Sequence, residues 1–242
     1  LTNVEAIVHL AGATVSKKWT KAYKQEIIES RVLSTRLLFE TLQKNKNQVK
    51  QIVSASAIGI YPDSLTNIYH ETDLAIDASF LGNVVKQWEN EVSQFEKLPI
   101  EVAKIRIGLV LAKDGGALQE MVKPIKFGVG AAFGSGQQYQ SWIHLHDLVA
   151  IFSHVIENKC SGVYNGVSPH PVTNEVLTKA IAKTLDKPLF LPNIPKFVMK
   201  LILGEMHMLL FSSQHVSCRK LLDENFQYKF ASLDKALCDL LK

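Results

Sequence analysis

Two serines and a tyrosine stand close together in residues 51–62, QIVSASAIGIYP: Ser54 and Ser56 follow an apolar run, and Tyr61 comes one short loop later. A serine can hydrogen-bond a substrate carbonyl or hydroxyl, and a tyrosine can carry a proton where its surroundings tune its pKa. Residues 51–53 read as the end of a β-strand, which puts Ser54, Ala55 and Ser56 at its carboxyl end, where open parallel α/β sheets bind ligands. A polar strand-to-loop turn accounts for the same serines without chemistry, and a packed loop aromatic accounts for Tyr61. Farther along, His144, His146 and Asp147 form a His-x-His-Asp cluster. Zinc wants three or four ligands, and no further His or Cys has that spacing, so no metal site is expected. His144 then reads as a structural contact and Asp147 as a helix cap. Arg31 lies one helical turn before Thr35, and periodicity alone makes it a solvated side chain.

The elements that must position these groups alternate. Residues 4–10 form a short buried strand that ends in Ala11-Gly12-Ala13, a small-residue turn that lets a ligand approach the backbone. From Thr20, a plausible N-cap, apolar residues recur at three- and four-residue steps to Leu42, a long helix. With the strand at 49–53 this makes a right-handed βαβ unit. Residues 62–79 are polar and turn-rich, a surface loop. A helix at 80–95 and a β-branched strand at 100–110 follow, with Gly108 interrupting the strand where the backbone can come close to a ligand. This alternation predicts a parallel sheet covered on both faces. Past Lys113 six glycines mark a lobe with a short helix and loops. A helix then covers 148–156, a strand 163–167, a helix begins at Thr173 or Asn174, a helical pair broken at Gly204 covers 195–210, and an amphipathic helix at 233–241 closes the chain.

Composition limits the function. The 242 residues are 47% hydrophobic and 21% charged, which excludes disorder. A net charge of +4 comes from scattered Lys and Arg, so nucleic acid is not an expected partner. Cys160, Cys218 and Cys238 lack paired spacing, which fits a reducing compartment, and cytoplasm is the expected address. No apolar run approaches the roughly 20 residues that span a bilayer, so no membrane partner is expected. The methionines of 195–210 offer an association surface, and a homodimer is one expectation.

The ordered set His9-Leu10-Ala11-Gly12-Ala13, Trp19-Thr20, Ser30-Arg31, Ser54-Ala55-Ser56-Ala57, Trp88-Glu89, Gly115-Gly116-Ala117-Leu118, Gly134-Ser135-Gly136 and Ser141-Trp142-Ile143-His144 resembles the NAD(P)-dependent epimerase family of the extended short-chain dehydrogenase/reductases, more narrowly its atypical members of unassigned substrate. The resemblance runs nearly the whole length. It implies a Rossmann-type doubly wound sheet in residues 1–112, binding NADP or NAD, and a smaller α+β substrate lobe in residues 113–242. It assigns Leu10, Ala11, Gly12, Ser54, Ala55 and Ser56 to the cofactor, puts Arg106 and Gly108 by the nicotinamide end, and makes the substrate small or nucleotide-linked.

Two departures qualify this. The chain opens at Leu1 almost directly in a buried-strand pattern, at what the resemblance makes the family's fourth strand. The glycine-rich phosphate turn of the first strand and helix is therefore expected upstream; a polypeptide that truly began here would bind cofactor weakly and expose a sheet edge. Second, the family's Tyr-x-x-x-Lys pair falls on Leu81 and Val85, and neither moves a proton. Arg31 falls where the family places an active-site Asn, so it can bring a cation near the vacated lysine position and hold a ribose, phosphate or carboxylate. Two functions stay open: an oxidoreductase or epimerase in which Ser56 orients the reacting oxygen and Tyr61 carries the proton, and an NADP(H)-binding sensor without turnover.

Overall fold

The computed structural model describes residues 1 and 3–242. In chain order it runs β1 (Ala6–His9), α1 (Lys21–Lys44), β2 (Gln51–Ala57), β3 (Ile68–Tyr69), α2 (Phe80–Val92), β4 (Glu101–Ile107) and β5 (Leu109–Leu111). Then come α3 (Gly116–Lys126), β6 (Tyr139–Gln140), β7 (Trp142–His144), α4 (Leu145–Glu157), β8 (Gly162–Gly166) and β9 (Val172–Thr173). The rest is α5 (Asn174–Thr184), α6 (Lys196–Leu203), α7 (Met208–Phe211), β10 (His215–Val216), α8 (Arg219–Asp223) and α9 (Leu233–Leu241). Two compact units result. One comprises Leu1–Pro62, Glu71–Ile107 and Ala150–Asn165, the other Asp63–His70, Gly108–Val149 and Gly166–Lys242.

The first unit holds the parallel α/β sheet that the alternation predicts, in the order β1-β2-β4-β8. His9 lies opposite Ser54 across β1 and β2, and Ser54 and Ser56 lie opposite Lys104 and Arg106 across β2 and β4. The Thr20 hydroxyl accepts the Tyr23 N–H and caps α1, as its residue type requires. Ile52, Trp88, Val92, Phe95 and Val102 form the core beneath α1 and α2. One expectation needs correcting: β2 does not stop at Val53 but runs to Ala57, so Ser54 and Ser56 are buried strand residues. Small side chains do not end a strand whose ladder continues: β1 pairs only as far as Ser54, but β4 stays paired with β2 through Ala57.

In the second unit β5 pairs in parallel with β7, β6 pairs antiparallel with β9, and β10 pairs with β3. Its core gathers Leu111, Leu118, Trp142, Leu177, Ile181 and Leu237. The Thr173 side chain caps α5 through the Val176 N–H. Gly108 is the one residue between β4 and β5. A Cβ there would lie 2.1 Å from the Ser141 carbonyl oxygen, so the close approach expected at Gly108 is met by the chain's own backbone. Asp147 also departs from expectation. It sits in the first turn of α4, fully buried, and its carboxylate accepts the backbone N–H groups of Lys229 at 3.0 Å and Phe230 at 2.8 Å. His144 stacks on Phe230, ring centroids 3.9 Å apart.

Candidate functional site

In the first unit β1 ends at His9, level with Ser54, and the parallel β2 beside it runs on to Ala57. Beyond β1 the turn is exposed, with Leu10 63% accessible. Side chains of α1 pin it in place. Ser30 Oγ accepts the Ala13 N–H at 2.9 Å, and Arg31 Nη1 donates to the Ala13 carbonyl at 3.1 Å and to its own helix at the Ile27 carbonyl. At the strand's end His9 Nε2 meets Thr35 Oγ1 at 3.0 Å. The guanidinium of Arg31 lies 5.1 Å from the Trp88 ring and directly under Gly12, where a Cβ would come within 2.9 Å of its central carbon. Gly12 therefore leaves Arg31 room at the turn. Among the described residues no side chain accepts from Arg31 Nε or Nη2, and burial lowers the affinity of this guanidinium for its proton.

Below the ends of β2 and β4 runs a second polar group that periodicity and composition gave no reason to connect. Ser56 Oγ–H donates to Glu89 Oε1 on α2 at 2.5 Å. Arg106 grips the same carboxylate in a fork, Nε to Oε1 and Nη2 to Oε2, each 2.9 Å. Its Nη1 donates to Tyr61 Oη at 2.9 Å, and Tyr61 donates onward to Asn165 Oδ1 at 2.8 Å. Burial alone would raise the Glu89 pKa, but the hydrogen bonds and charge of Arg106, with Ser56 and Lys104 adding, hold it below its ordinary value. Arg106 is opposed by burial too, and Glu89 raises it nonetheless. Glu89, Arg106, Lys86 and Asn90 line a half-open cleft of about 130 Å³.

The residues read from sequence thus fall into two groups. Leu10, Ala11, Gly12 and Arg31 share the turn beyond β1, and Ser56, Tyr61 and Arg106 share the buried polar chain. Ser54 turns its hydroxyl to the Ala55 carbonyl within the strand. Tyr61 is 0% exposed, and burial, only partly offset by Arg106, raises its pKa. Glu89 and Asn165 are members that the sequence reading did not assign. The signal for Glu89 was there, since a carboxylate falls on the apolar face of α2 with Val85, Trp88 and Val92 and must be paired once buried.

Known proteins share this architecture. The model of the NAD dependent epimerase/dehydratase family matches residues 1–78, and that of a domain of unknown function, DUF1731, matches 194–240. An epimerase family protein of Staphylococcus aureus is 38% identical over 241 residues, covering 99% of this chain and 80% of that protein. The chain belongs to the epimerase family. Another family member, from Staphylococcus saprophyticus, is 36% identical over 242 residues and covered to 81%. Among solved structures, the human epimerase family protein SDR39U1, crystallised with NADPH, superposes with a TM-score of 0.93 at 31% identity, over 99% of this chain and 82% of that one. A nucleoside-diphosphate sugar epimerase of Corynebacterium glutamicum gives a TM-score of 0.78 at 28% identity, over 98% of this chain and 46% of that one. In this epimerase-family chain Val85 is buried on the apolar face of α2.

Proposed function

We propose that the chain binds NADP(H) across the carboxyl ends of β1 and β2 and transfers hydride on a small or nucleotide-linked substrate. The turn fits a dinucleotide: Leu10, Ala11 and Gly12 are exposed, Gly12 has no side chain to obstruct approach, and Arg31 offers two uncommitted donors for a ribose oxygen or phosphate. The human relative solved with NADPH supports the same cofactor here. When bound, the nicotinamide supplies or accepts the hydride. The chain's own residues handle the proton. Ser56 Oγ takes it from a substrate hydroxyl as the Ser56 proton passes to Glu89 Oε1, and the cleft beside Glu89 opens to water. Arg106 keeps Glu89 ionised and so available as acceptor. Tyr61 enters this reading as a positioning residue that holds Arg106, since its proton is already given to Asn165.

The observation that carries the proposal is the Ser56 hydroxyl bonded to a carboxylate that lines a surface cleft; the resemblance, which sets Leu81 and Val85 at the family's Tyr and Lys positions, leaves this pair as the proton route. Those same replacements, with Tyr61 sealed from solvent and Ser56 only 3% exposed, support the second reading, an NADP(H)-binding protein without turnover. Fluorescence titration with NADPH tests binding: Arg31→Ala is expected to weaken it about tenfold or more, the loss of one charge-assisted contact. Following the reduced cofactor's absorbance over a panel of sugar nucleotides and carbonyl compounds tests turnover, which Ser56→Ala and Glu89→Gln are expected to abolish without loss of binding. Binding without turnover across the panel selects the second reading, and absence of binding removes both.

A further inference from the structure

We propose that residues 187–203 of the second unit form a docking surface for an anionic lipid bilayer, with α6 lying flat in the headgroup layer. This stretch carries three lysines, Lys187, Lys196 and Lys200, and no carboxylate. Six of the eight residues of α6, KFVMKLIL, are apolar, yet none is buried. Phe197 is 73% exposed, Leu201 87% and Ile202 67%, and Phe190, just upstream, is 78% exposed. Single exposed apolar residues are ordinary; a ridge of them marks a surface that something covers. Phe197 and Leu201 are one turn apart and share a face, and Lys196 and Lys200, also one turn apart, run alongside.

The ridge is held out, not frayed. Ile194 donates its N–H to the Ala132 carbonyl and accepts the Gly134 N–H, which fixes the chain before α6. Gly204, at φ +57°, ends the helix, and its carbonyl is bonded by His207 Nδ1. The chemistry of the covering partner follows from charge. A second copy packed on the same face would bring two lysine rows together with no carboxylate on either helix to answer them; the first one, Glu205, lies beyond the Gly204 turn. Anionic headgroups answer the lysines, and the acyl boundary takes up Phe and Leu, the arrangement of an in-plane amphipathic helix. No helix among the described residues is long and apolar enough to cross a membrane.

Flotation of the full chain with vesicles tests this. It is expected to float with vesicles containing phosphatidylglycerol, to be released by high salt, and to stay behind with pure phosphatidylcholine. Lys196→Ala/Lys200→Ala is expected to weaken partitioning about thirtyfold, some 2 kcal/mol for two lysines at an anionic surface. Phe197→Ser/Leu201→Ser is expected to abolish flotation while the thermal midpoint holds, since both side chains stand in solvent. Failure to float with phosphatidylglycerol, equal binding to neutral vesicles, or undiminished flotation of the Phe197→Ser/Leu201→Ser variant would each overturn the proposal. So would a dimer that this variant dissociates in the absence of any flotation, which would assign the ridge to a second copy.

Discussion

Glu89 and Arg106 are two ions removed from water, with side chains only 11% and 8% exposed, and their two-pronged contact is what makes that burial tolerable. Breaking the pair from one side leaves the other charge uncompensated. Arg106→Met should therefore destabilise the chain by about 3–5 kcal/mol, read as a lowered urea midpoint. The pH dependence has a definite sign. The folded pKa of Glu89 lies below its ordinary value, so its contribution is fully present above the ordinary carboxylate range and is lost as pH falls through the lower, folded value. The stability gap between wild type and Glu89→Gln should accordingly be constant near neutrality and narrow in acid below the ordinary carboxyl pKa. Urea titrations at successive pH values check this, and a gap that widens in acid would contradict the depressed pKa. The types of these residues were readable from the chain, but their pairing was not. Arg106 sits in a β-branched strand and Glu89 on a helix 17 residues earlier, and only the register of β2 against β4 brings Ser56 opposite Arg106.

Helices and strands were the most legible level, because their caps and periodicities are local. Thr20 caps α1 and Thr173 caps α5, Gly204 ends α6, and α9 spans the predicted Leu233–Leu241. What failed was local reasoning applied to a long-range contact. Asp147, an N-cap by residue type, instead fastens a loop 82 residues away. Replacing it with Ala would leave the buried N–H of Phe230 without an acceptor, at about 1–3 kcal/mol, and would release the part-buried N–H of Lys229. Asp147→Ala should therefore speed amide exchange from 229 into α9, with little change in β1 or β2. Asp147→Asn should fall between, since one amide oxygen can still accept while the amide nitrogen faces a donor. Gly108 makes the complementary prediction. Gly108→Ala drives a methyl group into the Ser141 carbonyl and Val167 Cγ1, at 2.1 and 2.7 Å, and a backbone oxygen cannot swing aside as a side chain can. A loss of about 1–3 kcal/mol or more is expected, visible as a lowered melting temperature.

At the scale of the whole chain, each unit is assembled from separated pieces, and this was the part least available to sequence reasoning. Residues 63–70 join the second unit because Asp63 accepts the Ser213 N–H, the Ser64 carbonyl accepts the Ser213 hydroxyl, and β3 pairs with β10. Two-residue strands have no periodicity to detect, and contacts about 150 residues apart leave no local pattern. Residues 150–165 join the first unit in the same way, through Gln51 Nε2 donating to the carbonyls of Val155 and Cys160. Since each unit has its own core, a ligand held by one need not stabilise the other. Nucleotide bound only to the folded first unit adds about 2.7 kcal/mol at a concentration a hundred times its dissociation constant. NADPH at that excess should slow exchange at Val8, Val53 and Ala55. The core amides of Leu118, Trp142 and Leu237 should slow only if they open by global unfolding. Equal protection at both sets would mean that the units unfold as one cooperative body; protection confined to the first would mean that the nucleotide is held by the β1 and β2 strand ends and that each unit opens by itself.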